Sequence, residues 1–246
     1  TLHLDNMNPV TIVDYPKRSR EGIEIIGEHN TPGDTAAFGL ESADPVVQEE
    51  NNLLVTAEEC LEAVRVVNEA AGWRPGEDRL DAPTYGADAA RRLPKLLPGI
   101  NLVHGLAGER AETFEHNRAF LDSVLDEGLL LRRVNIRQVM AFEGTEMAET
   151  GAALAREHKT QFKRYKRAVR EEVDNQMLER VAPPGTVLPD VHLEYHEGGK
   201  TFGRQLGTYA LLVAVPGERK LGKAVDIAVV DWGYRSVTGV PYPLDL

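Results

Sequence analysis

The hydrophobic period of this chain changes once, and the change falls at Pro183-Pro184-Gly185. Upstream, short apolar runs alternate with stretches patterned at the helical period of about 3.6. Downstream, VHLEYHE, YALLVAVP and AVDIAVVDWG are short β-rich segments patterned at period two, separated by the turns EGGK and PGERKLGK. Parallel strands need long crossovers, usually helices, whereas antiparallel strands are joined by tight turns. The chain therefore reads as an α/β layer of parallel strands over 1–149, a bridging helix over 150–182, and a small antiparallel β-barrel over 183–246.

Within the first part, strands are expected at 2–5, 36–41, 101–104 and 134–139, as parallel neighbours in one sheet. Thr56 followed by Glu59 predicts a capping box, and Ala57, Leu61, Val64, Val67 and Ala71 recur along one helical face until Gly72. A second helix is expected over 111–125, with Phe114, Asn117, Leu121 and Val124 on one side. The polar, punctuated stretch 73–95 reads as a long loop, a place where function often resides. Over 150–182, Leu154, His158, Phe162, Tyr165, Val169, Val173, Met177 and Val181 form an apolar stripe. The opposite face carries Lys159, Lys163, Arg164, Lys166, Arg167 and Arg170. Two readings of that face stand side by side: cations paired with acids such as Glu157, Glu171 and Glu172, or a surface for RNA.

Composition removes several classes. The 28 basic and 39 acidic residues sum to −11, so any contact with nucleic acid needs a local patch. A single cysteine, Cys60, excludes an internal disulfide framework and a self-contained four-cysteine metal site, and its place inside a helix makes it a packing residue. The longest apolar run, 209–215, ends at Pro216, well short of the roughly 20 residues a membrane helix needs. A cytoplasmic protein is expected. The chain opens on Thr1, already within a strand-like run, as a fragment would. His3, His104 and His116 lack metal-ligand spacing, and His104 reads as a satisfied buried histidine.

Ligands of parallel sheets sit beyond the carboxyl ends of the strands. Those ends read Asp5-Asn6, Glu41-Ser42, the 104–109 turn and Arg137-Gln138, a set suited to a polar, nucleoside-like ligand. GLAGERAET lacks the order of a dinucleotide fingerprint and the Lys-Ser/Thr of a triphosphate loop.

As a set, LHLDN-x-NP, TPGD, GLESAD, LLPGIN and RRVNIRQV resemble archaeal radical SAM Fe–S oxidoreductases over residues 1–145. The resemblance implies the C-terminal part of a partial (β/α)6 TIM-like barrel, binding S-adenosylmethionine (SAM) and a 4Fe–4S cluster that cleaves it to a 5′-deoxyadenosyl radical. It places Glu41 and Ser42 at the ribose or methionyl part, Asn101 at the fifth-strand polar position, and Gly105, Leu106, Gly108 and Glu109 at the adenine turn. It puts Asp5, Asn6 and Asn8 on the substrate side. Two departures stand out. The CxxxCxxC cluster motif is absent, which implies that cluster binding and turnover lie beyond this chain alone. The arginine that pairs with the SAM carboxylate is replaced by Asn51-Asn52-Leu53, leaving Arg137 as the candidate substitute.

The C-terminal segment resembles a TRAM module, a small β-barrel of tRNA-modifying enzymes, which implies RNA contacts through Tyr195, Phe202, Arg204, Tyr209, Trp232, Tyr234 and Arg235. On the RNA reading of the basic helix face, Lys163, Arg167 and Arg170 join them. The substrate is then a small molecule or RNA. Two other readings remain open: an RNA-binding module with the α/β part as scaffold, and a plain aldolase-like barrel fragment.

Overall fold

The computed structural model describes residues 1–75, 92–145 and 147–243, so most of the loop expected over 73–95 lies outside the described residues. Two short helices, α1 (Pro9–Asp14) and α2 (Pro16–His29), open the chain, each with a proline in its first turn. That position costs nothing, because the first N–H groups of a helix have no internal partner. Strand β1 (Asp34–Glu41) follows, then α3 (Pro45–Glu50) and α4 (Ala57–Ala71), strand β2 (Leu96–His104), α5 (Ala111–Asp126) and strand β3 (Arg133–Gln138). The expected capping box is present: the Thr56 hydroxyl accepts from Glu59 N–H, and Glu59 accepts from Thr56 N–H. Such caps contribute about 1 kcal/mol.

The three strands form one parallel sheet in the order β1-β2-β3. Pro98 is tolerated inside the central strand because it stands where the pairing with β3 begins: Arg132 N–H donates to Pro98 O, and the paired residues run from Gly99 onward. Phe38, Leu40, Ile100, Leu102, Val134 and Ile136 point to one face and pack with Val64, Val67, Leu121 and Val124 in the core. The other face bears Ala37, Gly39, Asn101, Arg133, Asn135 and Arg137, and it carries the chemistry.

This architecture corrects the expected partial (β/α)6 barrel. Residues 2–5 are not a fourth strand; the N-terminal arm makes one parallel bridge, Asn6 to Ala37. Met7 N–H donates to Ala37 O at 3.0 Å and Ala37 N–H to Asp5 O at 3.1 Å. The ladder stops because Asn8 caps α1 through Val10 N–H, turning the chain off the sheet. The Asp34 side chain, not a strand ladder, holds His3 and the Leu4 N–H.

The expected single helix over 150–182 is broken. It comprises α6 (Met147–Glu157), α7 (Lys159–Ala168), a π-helical turn (Val169–Asp174) and α8 (Asn175–Val181). Beyond it, β4 (Val187–Glu197), β5 (Lys200–Arg204), β6 (Leu212–Pro216), β7 (Ala224–Trp232) and β8 (Ser236–Pro241) close a barrel in the order β4-β5-β6-β8-β7. The barrel is mixed rather than antiparallel, since β6 and β8 run parallel. Strand direction cannot alternate all the way round a closed ring of five, so at least one neighbouring pair must be parallel.

The barrel is fastened to the end of α8 and to the α/β layer by partly buried polar contacts. Trp232 Nε1 donates to Ala182 O at 2.7 Å, and the Arg132 guanidinium bridges Gly33 O and Tyr209 O. Among the described residues no helix is long and apolar enough to cross a membrane.

Candidate functional site

Where β1 ends, the polar face of the sheet opens into a cleft of about 620 Å³, lined by Asn6, Met7, Asn8, Gly39, Glu41, Leu53, Val55 and Asn101 among others. That is the size of a small-molecule site, roughly 300–1,000 Å³. The register of β1 against β2 shifts between Gly39 and Glu41, and Glu41 is held at φ 60°, in the left-handed region. A non-glycine residue there costs about 1–3 kcal/mol, and such strain gathers at functional sites. The Glu41 carboxylate folds back over Gly39; a Cβ on Gly39 would lie 2.9 Å from Glu41 Oε1. Burial pushes the Glu41 carboxyl up, and the Arg137 charge pulls it partly back. Among the described residues no protein group donates a hydrogen bond to it.

Gly39, Asn101 and Asn135 stand in one row across the three strands. Asn135 Nδ2 donates to Asn101 Oδ1 at 3.0 Å, which leaves the Asn101 Nδ2 donors for the cleft. Leu54, 82% exposed, stands on the rim. The set therefore offers a desolvated carboxylate for a cation, amide groups for hydroxyls, a nearby guanidinium for an anion, and an apolar lip.

Other expected site residues have structural work. Ser42 is fully buried, its hydroxyl accepting from Asp44 N–H at 3.1 Å. Asp44 then joins two helix N-termini, accepting from Val46 N–H, the Thr113 hydroxyl and Arg110. Burial raises its carboxyl, but these donors outweigh that and hold it low. Gly105 and Gly108 make the turn after β2 with φ 88° and 76°, and Leu106 lies between them. Glu109 folds back under that turn, accepting from Gly105 N–H at 2.9 Å and lying 2.9 Å from His104 Nδ1. His104 is fully buried and stacked on Phe114 at 4.6 Å, but it is not the fully satisfied histidine expected, since among the described residues its buried Nε2 has no hydrogen-bond partner. Asp5 accepts from the Tyr209 hydroxyl at 3.0 Å and so holds the arm against the barrel.

The expected RNA-facing cations are largely committed to acids. Arg167 pairs with Glu171 at 2.8 Å and Arg204 with Glu194. Arg170, its side chain 12% exposed, pairs with Asp174 and donates to Val134 O, so it belongs to the interior. Lys163 is exposed. Sequence reasoning passed over Asn135 and Arg133, although Arg133, Asn135 and Arg137 at spacing two mark one face of a strand.

No protein-family model matches the chain. It is similar to an uncharacterized protein of Methanocaldococcus jannaschii, 46% identical over 240 residues, covering 97% of this chain and 42% of the relative. An uncharacterized protein of Archaeoglobus fulgidus is 44% identical over 246 residues, covering all of this chain and 44% of the relative. The chain thus spans less than half the length of the curated relatives it matches.

Proposed function

We propose that the cleft binds S-adenosylmethionine, and that this chain is the nucleoside-side portion of a cytoplasmic radical SAM enzyme. The observation that carries the reading is Glu41: a strained, desolvated carboxylate, without a hydrogen-bond donor among the described residues, at the carboxyl end of a parallel strand. A carboxylate so placed is suited to the methionyl ammonium or the ribose hydroxyls. Asn6, Asn8 and Asn101 supply further polar groups and Leu53, Leu54 and Val55 an apolar wall, while Arg137, outside the lining but close enough for its charge to act on Glu41, supplies the positive charge for the carboxylate. Bound SAM supplies a 5′-deoxyadenosyl group whose reductive release starts radical chemistry.

The cluster is a different matter, because this chain's residues do not fit it. Cys60 is fully buried in α4, and burial pushes its thiol up, away from the thiolate a ligand must be. Among the described residues no three His, Cys, Asp or Glu side chains are grouped to hold a metal. On this reading the cluster belongs to a part of the enzyme outside this chain.

The test is a titration of SAM into isotopically labelled protein, followed by amide NMR. The reading expects saturable shifts at Asn6, Asn8, Gly39 and Asn101. Shifts that are absent, or scattered over the barrel instead, contradict it.

A further inference from the structure

A second polar site lies at the junction of sheet and barrel. A cavity of about 130 Å³ is walled by Arg132 and Arg133 of the sheet edge, Asp174 and Met177 of the long helical segment, and Tyr209, Tyr234 and Arg235 of the barrel. It has room for several waters, each of which takes about 30 Å³.

The charge around it does not balance. Arg132 gives its hydrogen bonds to two neutral carbonyls, Gly33 O and Tyr209 O. Arg133 lies 3.9 Å over the Tyr209 ring, and among the described residues neither Arg133 nor Arg235 has a carboxylate at ion-pairing distance. The one acid in the wall, Asp174, is already engaged by Arg170. Burial, with repulsion among the guanidiniums, pushes Arg132, Arg133 and Arg235 down, Arg132 to about 10, against the opposing pull of Asp34 on Arg132 and of Asp174 on Arg235. Three arginines thus face a small wet space whose one acid, Asp174, is held by Arg170 while also attracting Arg133 and Arg235, and Asp34 attracts Arg132, so guanidiniums outnumber acids around it.

The helix beside the cavity adds an independent sign. Val169–Asp174 is π-helical, and its last residue lines the cavity. π-turns are rare and occur frequently at functional sites. Here the widened turn accompanies the inward course of Arg170 to Val134 O and Asp174, beside the cavity.

We propose that the cavity between β3, the π-helical turn and the barrel is a binding site for a phosphate anion, held by Arg133 and Arg235 with Arg132 behind them. Guanidinium forks match the tetrahedral oxygens of phosphate. The volume suits one phosphoryl group and excludes a whole nucleotide. The residues lining this cavity and those lining the cleft at Glu41 do not overlap, so the two sites are separate. It does not depend on what that cleft binds.

The experiment is a calorimetric titration of the full chain with inorganic phosphate, and separately with glycerol 3-phosphate, in a low-salt buffer free of other oxyanions. Saturable binding is expected, with a dissociation constant at or below about 1 mM, weakening as salt is added. Arg235→Gln, at the cavity rim, should weaken it about ten- to a hundredfold, the loss expected for one charge-assisted contact. Arg133→Gln should do the same, and Arg204→Gln on the far ion pair should not. Because Arg133 also steadies Tyr209, the rim variant is the deciding one if Arg133→Gln folds poorly. Tighter binding of the monoester assigns the site to a phosphorylated metabolite; equal binding assigns it to free phosphate. No saturable binding of either, or binding unchanged in Arg235→Gln, overturns the proposal.

Discussion

Glu41 sits over the bare α-carbon of Gly39, two residues back on its own strand: a Cβ there would approach Glu41 Oε1 to 2.9 Å. The bulge between them lets an acidic side chain lie flat on the sheet instead of pointing away from it. Glycine is required at 39 because of what 41 does. Gly39→Ala should therefore fold, since the clash is with the far end of a flexible side chain, and its melting temperature should move by no more than about 4 °C. Binding at the cleft should nevertheless fall, and the crystal structure of the variant should show the Glu41 carboxylate displaced.

Relieving the backbone at 41 should separate stability from binding. Glu41→Gly accepts φ 60° without penalty, and should stabilise the chain by about 1 kcal/mol, or roughly 2–4 °C for a protein of this size. Thermal melts check this directly.

The Glu41 carboxyl also gives a pH signature. Its folded value lies above its unfolded one, so the folded state binds more protons in the window between them. Stability from this group is therefore lost as pH rises from the ordinary glutamate range, about 4.3, through the raised folded value. Glu41→Gln should match the wild type below about pH 4 and exceed it at neutral pH, measured as urea midpoints across that range.

Arg170 and Lys163 should behave oppositely, although both stand on what reads as one basic helix face. Arg170→Gln leaves Asp174 buried without its partner and should cost about 3–5 kcal/mol. Lys163→Gln is a surface change and should stay within about 0.5 kcal/mol. Chemical denaturation distinguishes them.

Glu109 should prove structural. Removing its carboxylate in Glu109→Ala leaves Gly105 N–H and the buried His104 ring without their acceptor. The expected cost is about 2–4 kcal/mol, again by denaturation, with cleft binding little changed once the protein is folded.

Much of this was legible in the chain. Periodicity located β1, β2 and β3, the Thr56–Glu59 spacing located the start of α4, strand-end logic picked out Glu41 and Asn6, and the family resemblance added Asn101 and Asn8; all four line the cleft. The same logic also picked out Ser42 and Glu109, because strand-end acceptors serve turns as readily as ligands. Helices α1 and α2 do carry an apolar stripe, Val10, Ile12 and Val13 in the first and Ile23, Ile26 and Gly27 at helical spacing in the second, but it is short and set among charged residues. The π-helical turn follows from Arg170 reaching across to β3, a tertiary contact with no local periodicity. The arginine cavity joins residues from the middle of the chain and from its C-terminal barrel, and Tyr209 stacking on Arg133 is written in neither segment alone. Barrel closure with one parallel pair is likewise a property of strand count, which local turn signals do not encode.

The central claim, that Glu41 anchors S-adenosylmethionine, is tested most directly by calorimetric titration of SAM into the wild type and Glu41→Ala at neutral pH. The account predicts saturable binding to the wild type and a loss of about ten- to a hundredfold in the variant, the worth of one charge-assisted hydrogen bond of about 1.5–3 kcal/mol. An equal dissociation constant for the two proteins would contradict it.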